Sequence, residues 1–110
     1  MNDSQYNLLA DEIILQIEEA IEDCGTDIDF EGVSGMLTLT FKNGSKVIIN
    51  KQAPLHEIWV ATKFNGHHFQ CDSDNEQGQW TDKRGGGELW QFLSKAISLQ
   101  ADTDITISAG

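Results

Sequence analysis

Between Asp27 and Asp82 the chain falls into short runs of alternating apolar and polar residues separated by turn formers, and a helical period brackets this stretch at each end. That order constrains the fold more than any other feature. Asp27–Glu31, Met36–Phe41, Lys46–Asn50, Glu57–Thr62, His67–Cys71 and Gln79–Asp82 have the two-residue period of strands. Asn43-Gly44 is a strong hairpin signal, with room for a loop longer than two residues, and Pro54 breaks the chain before the next strand. Consecutive strands with tight connections pair antiparallel, and two helices can cover only one side of such a sheet. The expected fold is therefore α+β, with two helices packed on one face of a five- to six-stranded antiparallel sheet and the other face left to solvent or a partner. Ile28, Phe30, Leu37, Leu39, Phe41, Val47, Ile49, Ile58 and Val60 are expected inside. Trp59 is expected on the opposite, open face beside Ile48, Asn50, Gln52 and Glu57.

The first helix is expected from about Asn2 to Cys24. Tyr6, Leu9, Ala10, Ile13, Ile17, Ala20, Ile21 and Cys24 fall in a stripe of roughly 120° at about 100° per residue. Asp11, Glu12, Glu18, Glu19, Glu22 and Asp23 occupy the opposite side, with Leu8 and Leu15 projecting among them. Gly25 is the expected stop. A second helix is expected from about Glu88 to Leu99, burying Leu89, Phe92, Leu93, Ala96 and Leu99, and Gly85-Gly86-Gly87 reads as the connection that releases it. The pattern specifies little after Ala101. With no repeat, linker or low-complexity segment, residues 1–110 read as a single domain.

The 110 residues carry 18 Asp and Glu against 7 Lys and Arg, a formal charge of −11. Ten of those acids lie in the first 31 residues, before any Lys or Arg: Asp3, Asp11, Glu12, Glu18, Glu19, Glu22, Asp23, Asp27, Asp29 and Glu31. The rest of the chain is nearly balanced. Such a charge repels a phosphate backbone, so no nucleic acid is expected as partner. No apolar run approaches the ~20 residues of a membrane span, and the start lacks a secretory pattern, so the expected location is the cytoplasm. Cys24 and Cys71 then read as free thiols.

Several motifs fail on their spacing. Asp27 to Gly32 opens like a calcium-binding loop, but the twelfth position is Thr38 where a bidentate Glu is needed, and Asp72 to Glu76 fails with Gln77 and Lys83 at the key positions. The glycine run lacks the Lys-Ser/Thr of a phosphate loop. His67 and His68 point to opposite faces of a strand, unsuited to joint metal ligation, and no nucleophile elbow is present.

The acid-rich segment carries the functional signal. Glu18 with Glu22, and Glu19 with Asp23, are like-charge pairs four apart, each opposing the helix by roughly 0.2 to 0.5 kcal/mol. Glu22 and Asp23 also sit in the last turn, where the backbone dipole disfavours negative charge. Mixed signs would keep the chain soluble at lower cost. Clustered carboxylates without fixed geometry attract hard cations, weakly and with little discrimination, or a basic protein surface. Trp59 on an open sheet face is a second expected anchor for a protein partner.

The run from Asn43 to Lys63, with Asn50-Lys51-Gln52-Ala53-Pro54 and Trp59 five residues after the proline, closely resembles the signature of the frataxin family. Met1 to Ser4, Leu9-Ala10-Asp11 and Gly87-Glu88-Leu89-Trp90 are similar to that family too, so the resemblance covers nearly the whole chain. It implies a helix, antiparallel sheet, helix sandwich whose acidic ridge binds iron and contacts the basic surface of the cysteine desulfurase that supplies sulfur for iron-sulfur clusters. Carried over by position, Glu18, Glu19, Glu22 and Asp23 are the first metal and partner candidates. Asp3, Asp11, Glu12, Asp27, Asp29 and Glu31 are secondary metal candidates. Asn50, Gln52 and Trp59 match the sheet surface implicated in the assembly complex. Asn7 stands where some bacterial relatives have a histidine, and Glu57 replaces a polar amide. The loop from Asp72 to Gly78 is longer than usual, with Asp72, Asp74 and Glu76 as an extra cation candidate.

Three readings follow. The first is a non-enzymatic adaptor that binds Fe2+ or Fe3+ weakly, other hard cations being expected to substitute in vitro, and that docks on the desulfurase and the iron-sulfur assembly machinery. The second is a ferroxidase or iron-storage protein. In the third the acids serve only solubility and Trp59 alone makes the contact. Self-repulsion favours a monomer, with excess iron as the condition under which oligomers are expected.

Overall fold

The computed structural model describes residues 2–71 and 79–109. Helix α1 spans Asp3–Asp23. Its start is set by a reciprocal cap: the Gln5 amide donates to Asn2 Oδ1 at 2.8 Å and the Asn2 amide to Gln5 Oε1 at 3.2 Å. Its end follows at Cys24, and Gly25 takes a positive φ of 75°, the conformation that lets the chain turn off the helix. Tyr6, Ala10, Ile13, Ile17 and Ile21 are the buried stripe.

The strands are β1 Asp29–Val33, β2 Met36–Thr40, β3 Lys46–Gln52, β4 Glu57–Ala61, β5 Gly66–Cys71, β6 Trp80–Asp82 and β7 Gly87–Glu88. They form one antiparallel sheet in sequential order from β1 to β7. The seventh strand exceeds the expected five to six. It is two residues long and arises because Gly87 and Glu88 pair back onto Asp82 and Thr81, so the glycine run is partly sheet rather than only a connection. The β2–β3 turn takes five residues, closed by Phe41 and Ser45 and by the Asn43 side chain, which accepts from the Ser45 amide at 2.9 Å. A single turn of 3-10 helix, Ala53–Leu55, follows β3.

Helix α2 spans Leu89–Ala101 and packs on β6 and β7, while α1 packs on β1, β2 and the 3-10 turn. One apolar cluster joins the helices to the inner sheet face through Ile17, Leu37, Leu39, Ile49, Ile58, Phe69, Trp80, Leu93 and Ile97. Burying such side chains contributes roughly 1.5 to 3 kcal/mol each.

Three inward expectations change. Phe30 does lie on the helix face, as its partner Leu39 does, but edge strand β1 leaves it 36% exposed. Leu99 is 59% exposed, because Leu89, Leu93, Ala96, Ile97 and Gln100 are the α2 residues turned to the core. Phe92 on the same flank as Leu99 is only half-buried. The weakly patterned tail is held: Ile105 and Ile107 are buried, and Ser98 and Ser94 each donate to and accept from their backbone. The loop candidates Asp72, Asp74 and Glu76 lie outside the described residues.

Candidate metal-binding ridge and docking face

The ridge is built on α1 and on the edge of the sheet beside it. Glu12, Glu19, Glu22 and Asp23 are exposed and Glu18 is half-buried. Glu18 leans over the strand edge, since a Cβ placed on Gly32 would sit 3.3 Å from its Oε1. Glu19 and Asp23 turn the other way and border a shallow cavity of about 260 Å³ with Cys24 and the tail residues Thr106 to Ser108. The four leading candidates therefore divide between two flanks of one helix.

On β1 the pleat separates the acids further. Antiparallel partners share a face, and Asp29 pairs with Thr40 and Glu31 with Thr38, so both carboxylates belong to the open face while Glu18 lies on the helix side. The ridge wraps the edge of the sheet rather than continuing along one surface. Among the described residues no three His, Cys, Asp or Glu side chains form a group that could hold a metal ion. The donor set suits a hard cation carried as cargo at several loose carboxylate positions, each with easily exchanged ligands.

Three secondary candidates have basic neighbours. Asp3 Oδ1 is 2.7 Å from His56 Nε2, Asp11 Oδ1 is 2.8 Å from Lys51 Nζ, and Asp27 Oδ2 is 3.4 Å from Lys42 Nζ. Among the described residues Glu12, Glu18, Glu19, Glu22, Asp23, Asp29 and Glu31 form no ion pair. These are the carboxylates left to act outward.

The open face carries Asn50, Gln52 and Trp59, with Asn50 opposite Trp59 and Gln52 opposite Glu57 across β3 and β4. Trp59 does not stand clear of the sheet. It is half-buried, its ring stacks on His68 at 4.3 Å and 8°, and Nε1–H donates to Glu57 Oε1 at 2.8 Å. The register causes this, because His68 lies directly across from Trp59 on β5. Glu57 Oε2 accepts from Gln70 at 2.9 Å, and the Glu57 backbone carbonyl accepts from the buried Tyr6 hydroxyl at 2.7 Å. Burial pushes the Tyr6 phenol above its ordinary value, with Asp11 and Glu57 adding to the rise against a hydrogen bond from Gln52. Glu57 thus organises the face, a role that the sequence signals only as an acid at the start of an apolar strand.

His67 and His68 lie on opposite faces, as the strand period requires. His67 Nδ1 is 2.8 Å from Asp82 Oδ2 and Nε2 is 2.8 Å from Asn65 Oδ1. Burial raises the affinity of the Asp82 carboxyl for its proton, but the hydrogen bonds from His67 and from the Arg84 and Gly86 amides together hold it below the usual carboxylate range.

A sheet covered on one side by two helices, with unpaired carboxylates on the first helix and a polar-aromatic open face, defines a frataxin-type sandwich. The sequence model of the frataxin-like domain matches residues 1–103. The chain is 72% identical over 109 residues to the iron-sulfur cluster assembly protein CyaY of Colwellia psychrerythraea, covering 99% of each. It is 53% identical over 106 residues to the CyaY of Pseudoalteromonas atlantica, covering 96% of this chain and 94% of that one. A solved frataxin from Psychromonas ingrahamii superposes with a TM-score of 0.86 at 44% identity, covering 96% and 97% of the two chains. Yeast frataxin shares the fold at a TM-score of 0.67 and 24% identity, over 86% of this chain and 79% of that one. This chain belongs to the frataxin family, in its bacterial CyaY branch. Among the described residues no helix is long and apolar enough to cross a membrane.

Proposed function

We propose that this chain works in iron-sulfur cluster assembly as a cytoplasmic, monomeric adaptor without catalysis of its own. It takes up ferrous or ferric iron weakly on the ridge of Glu18, Glu19, Glu22 and Asp23, with Asp3, Asp11, Glu12, Asp27, Asp29 and Glu31 as outlying ligands. The same ridge docks on the basic surface of the cysteine desulfurase, and Asn50, Gln52 and Trp59 engage the assembly complex through the open face. The observation that carries this reading is that the ridge carboxylates lack ion-pair partners among the described residues while Asp82, Glu57 and Glu88 are each engaged in hydrogen bonds of the fold. Unpaired charge of one sign produces a field that draws in cations and steers a basic partner.

The test is charge reversal of Glu18, Glu19, Glu22 and Asp23 to Lys, read by titration with ferrous iron and with purified desulfurase. Both affinities are expected to fall, and desulfurase binding by the unaltered chain is expected to weaken steeply with salt. Unchanged titrations overturn the proposal. Oxygen uptake by the iron-loaded chain faster than spontaneous ferrous oxidation would instead favour a ferroxidase.

A further inference from the structure

Leu8 and Leu15 are large apolar side chains that α1 keeps outside the core, 69% and 53% exposed. The fold does not need them there, since a water-facing helix position accepts any good helix former. Scattered exposed leucines are ordinary, but these two are aligned. Seven residues apart, they lie two turns or roughly 10.5 Å from one another along the axis. At about 100° per residue, Glu22, Asp11 and Glu18 fall roughly 20° to 60° to one side of Leu15, and Glu19, Glu12 and Asp23 roughly 40° to 80° to the other. The leucines form a crest, and carboxylates run along both of its flanks.

We infer that this crest is a docking surface on which Leu8 and Leu15 insert into two apolar sockets of a cationic protein partner, whose Lys and Arg side chains border the sockets and meet the acid rows. The inference deepens the proposed function and rests on its reading of the ridge as the desulfurase-docking element. Charge selects the occupant. A second copy of this chain would bring another −11 and set acid row against acid row, and an anionic lipid surface would be repelled in the same way. A metal ion would use the carboxylates but gains nothing from leucines. Only a basic protein with apolar recesses uses both kinds of side chain, the acids giving steering and register and the leucines giving buried area that salt does not screen.

The probe is the purified cysteine desulfurase, its affinity measured against ionic strength for the unaltered chain, for Leu8→Ala/Leu15→Ala and for Glu19→Gln/Glu22→Gln. The leucine variant is expected to bind about 10- to 100-fold more weakly at every salt concentration with an unchanged salt slope. The glutamine variant is expected to flatten the slope. The leucine variant should melt normally, because these side chains lie outside the core, and the glutamine variant should melt no lower than the unaltered chain. If the leucine variant binds normally while the glutamine variant is weakened, the crest inference falls and the ridge reading survives. If neither variant changes, the ridge reading falls and takes this one with it. Should the unaltered chain dimerise alone and lose the dimer on leucine truncation, the crest is a self-association surface and the inference is overturned.

Discussion

The two edges of this sheet use the same side-chain chemistry in opposite ways. At the β6–β7 edge acids are structural. Asp82 takes hydrogen bonds from His67 and from the Arg84 amide, and Glu88 caps α2 by accepting from the Trp90 and Gln91 amides. On α1 and the β1 edge beside it, Glu18, Glu19, Glu22, Asp23, Asp29 and Glu31 close no ion pair among the described residues. An acid whose oxygens are occupied by the fold contributes to stability, whereas an acid left open costs helix stability and remains available to a cation. Under the proposed function, stability and binding fall to different edges, and substitutions should separate them.

The largest expected effect is on the side where α2 holds the tail. Ile105→Ala should lower unfolding free energy by about 2 to 4 kcal/mol, at the lower end of the range for core truncations because the tail can detach without opening the sheet. Urea melts check the loss, and ferrous iron titration of the folded variant should be unaltered. A large loss of iron affinity would break the division between the edges.

Next comes Asp82, for which Asp82→Ala should cost about 2 to 3 kcal/mol by stranding His67 and two backbone amides. The charge makes this contribution pH-dependent. The folded carboxyl titrates below its unfolded value of about 3.9, so its stabilisation is fully present above that pH and disappears as pH falls through the folded value. The stability gap between the unaltered chain and Asp82→Asn should therefore be widest near neutrality and close below about pH 4. Gly86→Ala should act through the same residue, since a Cβ there would lie 2.5 Å from Asp82 Oδ2, at a cost of about 1 to 3 kcal/mol.

The sequence was legible wherever a local period decided the outcome. The α1 stripe, the Gly25 stop, the Asn43-Gly44 turn and the inward run Leu37, Leu39, Val47 and Ile49 all follow from spacing of 3.6 or 2 residues and from positive-φ glycines. Features set by register or by distant chain were not legible. Phe30 has the inward period but lies on an edge with too little cover, and Leu99 has an apolar side chain on the wrong flank of α2. Ile105 and Ile107 acquire their burial from serines four residues apart on α2, a pairing no local pattern announces. At the candidate site, the acids of α1 were readable as a helix face. Their division into two flanks, the turning of Asp29 and Glu31 to the open face, and the stacking of Trp59 on His68 all depend on strand register.

The smallest effect sharpens the comparison most, because its sign is opposite. Glu22 sits four residues after Glu18, and α1 has no basic residue in its last turn to complement the helix dipole. Neutralising Glu22 to Gln removes one like-charge pair worth roughly 0.2 to 0.5 kcal/mol and relieves an unfavourable dipole contact, so the variant should be slightly more stable than the unaltered chain. Glu19→Gln should do the same through Asp23. Both gains should shrink as salt is added, since exposed charges are screened over roughly 8 Å at physiological ionic strength. Thermal melts at low and high salt measure this directly. If Glu22→Gln instead destabilises the fold at low salt, the β1 edge is built from its acids just as the β6–β7 edge is, and the division between the two edges fails.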